Sequence, residues 1–192
     1  MSHLSNAAEA MTAIVRTISA DQLSAPTPCA EYDVRALVNH LLFWGPSLEA
    51  AGRKEVVPPP APTESEVDLV GDDWAAKLTA QLDRTAATWS APAAWEGTTR
   101  FVGPESPARA IGGMVVIELS VHAWDLASAT GQALVLDDDL LAYLHEEVTA
   151  SAELGRQYGV YGPEVAVPAS GSTLDRILGL TGRDPAWART FA

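Results

Sequence analysis

The chain has 192 residues, a hydrophobic fraction of 47% and a formal net charge of -13, which suits a single domain, residues 1–192, with a full hydrophobic core. The 25 acidic against 12 basic residues argue against nucleic-acid and membrane-surface partners, because both need clustered Lys and Arg. The N-terminus lacks a signal-peptide pattern, and no stretch approaches the roughly 20 apolar residues of a membrane span. With a single cysteine in the chain, these features predict a cytoplasmic protein.

Apolar residues at helical spacing predict a first helix over about 5–20, followed by a loop with two prolines. A second helix is predicted over 33–52, with Asp33 as its N-cap. Within it, Gly45 and Pro46 predict a kink or a break, after which the helix can resume. The Pro-rich segment VVPPPAPTESE then predicts a long surface loop rather than a linker between domains.

A third helix is predicted over about 70–90, where apolar residues form one stripe. Either Asp68 or Asp72 is expected to cap its N-terminus. The connection that follows contains several Gly and Pro residues. Within that connection, the stretch WEGTTRF predicts a short strand or hairpin.

The fourth predicted helix is the longest and spans about 107–130. Pro107 is expected in its first turn, and Gly131 is expected to end it as a C-cap residue. Gly112 and Gly113 lie inside the helix, where paired glycines cost stability. We therefore expect another helix to approach closely at that point, or the helix to bend there.

A fifth helix is predicted over 137–157, because three successive aspartates suit the positive end of a helix dipole. The tail contains one short amphipathic helix, predicted over Thr173 to Leu180. Long helices with almost no strand signal predict an all-α fold in the form of a helical bundle.

Glu118 and His122 lie four positions apart on the fourth helix, so they share one face. Their neighbours are apolar, and no Lys or Arg occurs between Ala110 and Gly131 to pair with Glu118. Burying such groups without partners is costly, and a metal ion would satisfy both. The alternative is a structural bundle in which an ion pair or hydrogen bonds from another helix satisfy them.

His40, on the apolar face of the second helix, is the candidate third ligand. Two imidazoles and one carboxylate match catalytic zinc sites with an open position, and they suit other divalent ions as well. Taken alone, however, His40 is more often a hydrogen-bonded core residue than a ligand. The spacing of Glu118 and His122 also occurs often by chance, so the residues by themselves leave both readings open.

Two further residues are candidates for roles near this cluster. Asp125 shares the face of His122 and either orients His122 or a site water, or hydrogen-bonds an arginine from a helix or from the tail. Cys29 precedes the second helix, where a thiol pKa can fall and make the thiol reactive. The plainer reading of Cys29, as a small buried residue, is favoured.

Three segments, TPCAEYDVRALVNHL, ELSVHAWDLASATG and GRDPAW, resemble the DinB-like metal-binding bundles. The resemblance is closest to the branch that resembles the N-terminal domain of mycothiol-dependent maleylpyruvate isomerase. It implies a four-helix bundle in up-down-down-up order, with a long crossover after the second helix. It also implies a divalent metal, zinc or else nickel, held by His40, Glu118 and His122.

The same resemblance implies a mycothiol-type thiol cosubstrate, a small electrophilic substrate, and transferase or isomerase activity. It also suggests a homodimer. Full isomerases carry an additional C-terminal domain, whereas a short tail follows the bundle here. The alternative is therefore a metal-binding bundle without catalysis, in a stress or regulatory role.

Overall fold

A computed structural model of the chain describes residues 2–187. Within these residues the regular structure consists of α1 (His3–Val15), α2 (Val34–Gly52), α3 (Trp74–Trp89), β1 (Thr98–Thr99), β2 (Ser106–Pro107), α4 (Ala108–Thr130), α5 (Asp138–Gln157) and α6 (Thr173–Leu180). Short 3-10 turns lie at Ala20–Gln22, Glu64–Glu66 and Pro92–Trp95. The predicted all-α class is confirmed. The ends of the predicted domain, at residues 1 and 188–192, lie outside the described part.

The first four helices pack around a common core. α1 contacts α3 and α4, and α2 also contacts α3 and α4. Each of these four helices therefore packs against two others of the four. α5 lies against α1 and α4, and α6 packs on α5. Fully buried side chains fill the core, among them Met11, Leu37, Leu78, Trp89 and Leu126. The up-down-down-up order of the helices stays a prediction.

Side-chain caps set the start of two predicted helices. Asp33 Oδ1 accepts a hydrogen bond from the backbone N–H of Ala36 at 2.7 Å, which confirms it as the N-cap of α2. Asp137 accepts from the N–H of Leu140 at 2.7 Å in the same way. Each cap satisfies a backbone donor that has no partner inside the helix.

Two predicted helix ends are wrong. α1 ends at Val15 rather than near residue 20, and just beyond it the Thr17 hydroxyl donates to the carbonyl of Ile14 at 3.1 Å. α3 begins at Trp74 with Asp73 at its N-cap position, in place of Asp68 or Asp72. Asp68 serves the loop instead, because its carboxylate accepts hydrogen bonds from Arg35 at 2.6 Å and from the N–H of Val70 at 3.0 Å. The carboxylate of Asp68 therefore stabilises the loop before α3 and not the N-terminus of the helix.

Of the two outcomes predicted at Gly45 and Pro46, the break does not occur, because α2 runs through both residues. The kink stays a prediction. Gly45 instead allows a close approach between helices. A Cβ atom at Gly45 would lie 2.6 Å from Cγ of Gln81 on α3. The glycine therefore allows the close contact of α2 with α3 and does not mark the end of a helix.

In α4 the glycine pair marks close contacts, as predicted. A Cβ atom at Gly112 would lie 2.5 Å from the indole ring of Trp95. Gly131 is the C-cap in the left-handed region, with φ of 72°, which confirms its predicted role. Pro107 stands at the N-cap, one position before the predicted first turn. The short strand predicted within WEGTTRF is present as β1, and it pairs with β2, outside that stretch, through Thr99 and Ser106.

α4 is long and apolar enough to cross a membrane by length and composition, which the sequence reading did not anticipate. However, 72% of its most apolar stretch is buried inside the protein. A helix that is apolar on all sides is expected where other elements surround it. α4 is in contact with α1, α2 and α5, so it occupies such a central position.

Candidate metal centre

His40 of α2 meets Glu118 and His122 of α4 at the contact between the two helices. Nε2 of His40 lies 2.7 Å from Oε1 of Glu118, and Nε2 of His122 lies 3.5 Å from the same oxygen. The candidate ligand atoms of the three residues all lie within 4.8 Å of one another. The structure therefore brings together the three residues that were predicted as ligands, although they come from two distant segments.

The outer nitrogen of His40 faces a carboxylate from the loop between α2 and α3 (residues 53–73), which we call the crossover loop. Nδ1 of His40 lies 2.9 Å from Oε1 of Glu64. The same oxygen accepts a hydrogen bond from the indole N–H of Trp44 at 2.6 Å. The Tyr32 hydroxyl donates to the other oxygen of Glu64 at 3.4 Å. His40 is therefore held between two carboxylates, Glu64 on its outer side and Glu118 on its inner side.

The outer nitrogen of His122 faces Asp125 on the same helix. Nδ1 of His122 lies 2.9 Å from Oδ2 of Asp125. Arg183, in the tail, donates to that oxygen through Nη2 at 3.0 Å. Asp125 is fully buried and Arg183 is 7% exposed. The two alternatives considered for Asp125, contact with His122 and contact with an arginine, thus occur together.

The charges in this cluster shift the pKa values of Glu118 and His40 in opposite directions. Burial favours the neutral forms of both Glu118 and His40. In Glu118, the positive charges of His122 and His40 outweigh burial and lower the pKa to about 2. In His40, hydrogen bonds to Glu118 and Glu64 outweigh burial and raise the pKa to about 10. The site therefore stabilises a carboxylate on Glu118 and a proton on His40, which a metal cation would replace.

Cys29 lies beside the cluster without the features of a reactive thiol. Burial raises its pKa to about 11, and the nearby charge of Arg183 offsets this only in part. The sequence offered a lowered pKa for Cys29 at the N-terminus of the second helix. That reading is wrong, because α2 begins only at Val34. Cys29 is half-buried, and its sulfur lies within 4.8 Å of candidate ligand atoms of His122 and Asp125.

A cavity of about 240 Å³ opens onto the three candidate ligands. Its wall combines residues of α2 and α4 with residues from the loop before α2 and from the segment after α5. Besides the ligands, the lining includes Cys29, Glu31, Tyr32, Ile117, Val121, Gly159, Val160, Tyr161 and Arg183. A second cavity of about 380 Å³ adjoins it and shares Cys29, Glu31, Gly159, Val160, Tyr161 and Arg183. Together they form a cleft that can admit a small molecule to the cluster.

Two residues of the site were missed in reading the sequence. Glu64 lies in a Pro-rich loop, where a single acidic residue has no distinguishing pattern. Arg183 lies in the GRDPAW motif, which the resemblance singled out. A tail arginine was one of the partners considered for Asp125, but the motif does not indicate which arginine it is. Neither contact could be found from local spacing, because Arg183 is 58 positions from Asp125 and Glu64 is 24 from His40.

The fold and the His–Glu–His cluster are consistent with the DinB-like class of helical bundle that the sequence resembles. Comparison with known families is more specific. The chain belongs to the family of the mycothiol maleylpyruvate isomerase N-terminal domain, whose model matches residues 4–127. That match contains all three candidate ligands and also Glu64 and Asp125.

Similar proteins are found by sequence and by structure. The chain is 29% identical over 152 residues to uncharacterised proteins of Mycobacterium tuberculosis strains CDC 1551 and H37Rv, covering 79% of this chain and 78% of each relative. Its fold is similar to crystal structures of the mycothiol-dependent maleylpyruvate isomerase and of a histidine-to-alanine mutant of that enzyme. The TM-scores are 0.58 and 0.60, at 15% identity, over 80% of this chain and 71% of theirs.

Proposed function

We propose that this protein binds a divalent metal ion through Nε2 of His40, the carboxylate of Glu118 and Nε2 of His122. The support is the short distance between these ligand atoms, all within 4.8 Å of one another. Nitrogen and carboxylate ligands in a set of three suit zinc with an open coordination position, and they also suit nickel. Zinc is our first choice, and nickel is the alternative.

The outer hydrogen bonds of both histidines support this proposal. Metal-binding histidines commonly donate their other N–H to a carboxylate, which fixes the ring orientation. Here Asp125 takes this position for His122, and Glu64 takes it for His40. A histidine that only satisfies a core would not need one carboxylate at each nitrogen.

We further propose that the protein is an enzyme that uses a low-molecular-weight thiol of the mycothiol type. Its reaction would be the transfer of that thiol to a small electrophile, or a thiol-dependent isomerisation. Membership of the maleylpyruvate isomerase N-terminal domain family supports the thiol. The cleft of two adjoining cavities beside the cluster supports a small-molecule substrate.

A divalent cation at this site would lower the pKa of a thiol, so that a thiolate would be present at neutral pH. The chain's own residues prepare the site for that chemistry. A divalent ion bound by two neutral imidazoles and one carboxylate would have a net charge of +1, which would attract the anionic sulfur. Asp125 keeps a proton on Nδ1 of His122 and thereby directs Nε2 toward Glu118. The thiol would come from the cosubstrate, which the family membership supports. In the metal-free protein, burial raises the pKa of Cys29 to about 11.

Calorimetric titration of the zinc-loaded protein with mycothiol tests this proposal. We expect binding at or below millimolar concentration, and its loss after chelation of the metal or in Glu118→Gln. Absence of binding at millimolar mycothiol would overturn the thiol proposal. Turnover of an electrophile with the bound thiol then separates an enzyme from the alternative, a metal-binding bundle without catalysis. A cytoplasmic location and a homodimer stay predictions.

A further inference from the structure

We propose that Glu64 is a positioning residue of the metal centre, which fixes His40 with Nε2 toward Glu118. The inference rests on the proposed metal site and adds to it a residue from outside the helices. Glu64 belongs to the crossover loop between α2 and α3, in a 3-10 turn at Glu64–Glu66. The loop would thus be part of the centre rather than a surface connection.

The contacts of Glu64 converge on its two carboxylate oxygens. Oε1 accepts the indole N–H of Trp44 at 2.6 Å and lies 2.9 Å from Nδ1 of His40. Oε2 accepts the hydroxyl of Tyr32 at 3.4 Å. The side chain is 24% exposed, so water competes only in part for these positions. Three different side chains from the loop before α2 and from α2 itself therefore hold one carboxylate.

The carboxylate of Glu64 decides which nitrogen of His40 carries hydrogen. An ionised carboxylate can only accept, so Oε1 of Glu64 accepts from the indole N–H of Trp44 and from Nδ1 of His40. The Tyr32 hydroxyl also lies near Nδ1, at 3.3 Å, but the carboxylate oxygen is closer, at 2.9 Å. In the neutral ring this leaves the lone pair on Nε2, the nitrogen that lies 2.7 Å from Glu118. Glu64 thereby selects the tautomer that a metal needs, and Trp44 holds Glu64 in place.

The backbone of the loop is fastened to α2 next to His40. The side-chain amide of Asn39 donates to the carbonyl of Glu64 at 3.2 Å and to the carbonyl of Val67 at 3.1 Å. Its oxygen accepts the N–H of Leu69 at 2.8 Å. Asn39 therefore aligns the loop with the helix that carries His40, and the prolines before Glu64 restrict the loop's other conformations.

The other histidine shows the same arrangement. Asp125 accepts from Nδ1 of His122 and is itself held by Arg183, which can only donate. Both imidazoles are thus oriented by a carboxylate that a donor-only side chain holds in place. The difference is that Asp125 shares a helix with its histidine, whereas Glu64 reaches His40 from the crossover loop. The orientation of His40 therefore depends on that loop.

Glu64→Gln tests the inference, with Glu66→Gln as a matched control in the same turn. Glu66 is exposed and accepts a hydrogen bond from the Thr63 hydroxyl at 2.9 Å, away from the cluster. Zinc affinity is measured by competition with a chelating dye, and ligand geometry by the visible spectrum of the cobalt-loaded protein. We expect Glu64→Gln to weaken zinc binding by about 10- to 100-fold and to alter the cobalt spectrum. The control should retain wild-type affinity and spectrum.

Wild-type zinc affinity together with an unchanged cobalt spectrum in Glu64→Gln would overturn the inference. A wild-type protein that binds no metal would instead overturn the proposed metal site, so the two failures are distinguishable. Trp44→Phe serves as a second variant, in case Glu64→Gln does not fold. It removes the donor to Oε1 but leaves the carboxylate in place. A weakening of zinc binding in Trp44→Phe supports the inference, and unchanged binding contradicts it.

Discussion

Nε2 of His40 lies 2.7 Å from Oε1 of Glu118, although the two residues are 78 positions apart in the chain. The contact joins α2 to α4, and each helix brings only part of the cluster to it. His40 has its outer carboxylate in the crossover loop, and His122 has its own in Asp125. The site is therefore a property of the packed bundle and not of either helix alone.

The titration of His40 and Glu118 predicts how the stability of the metal-free protein depends on pH. The pKa of His40 is raised from 6.5 to about 10, so its contribution is complete below pH 6.5 and is lost as pH rises through 10. The pKa of Glu118 is lowered from 4.5 to about 2, so its contribution is complete above pH 4.5 and is lost as pH falls through 2. Between pH 4.5 and 6.5 both contributions are present.

Urea unfolding of the chelator-treated protein from pH 5 to 10 measures this dependence. We expect the free energy of unfolding to fall as pH rises above 6.5, and the fall to be smaller in His40→Gln. Equal pH dependence of wild type and His40→Gln over this interval would contradict the assignment to His40.

The buried pair of Asp125 and Arg183 predicts a large loss of stability when one partner is removed. Asp125→Ala leaves the guanidinium of Arg183 buried without its carboxylate, which costs about 3–5 kcal/mol in the free energy of unfolding. Asp68→Ala is the control, because it breaks an exposed ion pair with Arg35 and exposed pairs contribute little. Denaturant unfolding of the metal-free variants measures both changes. Similar losses in the two variants would contradict the role of burial.

The close approach of two indole rings to α4 predicts different outcomes for substitutions at two adjacent glycines. In Gly112→Ala, the new methyl group would lie 2.5 Å from the ring of Trp95 and 2.9 Å from that of Trp89. Trp89 is fully buried and cannot move away, so we expect a loss of about 1–3 kcal/mol.

In Gly113→Ala, the methyl group meets the flexible end of Glu147. That end can move, and the better helix propensity of alanine, worth up to about 1 kcal/mol, offsets the contact. Thermal unfolding of the two variants should therefore give a lowered Tm for Gly112→Ala only. Equal Tm values would show that the indole rings do not restrict this position.

The raised pKa of Cys29 predicts slow alkylation. A shift from 9.0 to about 11 reduces the thiolate fraction at pH 8 by roughly 100-fold relative to an unperturbed thiol. Reaction of the native, metal-free protein with iodoacetamide should therefore be much slower than that of the urea-unfolded protein, and its rate should keep rising to pH 10. A native rate above the unfolded rate at pH 8 would restore the reactive-thiol reading.

Helical spacing was sufficient to predict the elements and the shared face of Glu118 and His122. The joining of His40 to that pair is a tertiary contact. The residues offered His40 as a candidate third ligand, and the resemblance to a known family favoured that reading over a core histidine. The helix ends were less predictable. Asp68 is of a residue type that is common at N-caps, but its carboxylate binds Arg35 within the loop. A residue's local preference cannot show which of several partners it will meet.

The outer part of the site could not be predicted from any local pattern. Glu64 comes from a Pro-rich segment whose composition indicates only an irregular loop. Its function depends on the docking of that loop by Asn39 and on the single donor of Trp44. Arg183 reaches Asp125 from the tail by a similar long-range contact. In both cases the polar partner becomes specific only when the helices have packed.

The most direct test of the central claim is the metal content of the purified protein, measured by elemental mass spectrometry after equilibration with zinc and removal of the free ion. His40→Ala is measured beside the wild type, with circular dichroism to confirm that it is folded. The proposed three-ligand centre predicts about one zinc ion per chain in the wild type and its loss in His40→Ala. A wild type without zinc, or a folded His40→Ala that retains it in full, would contradict the proposed centre.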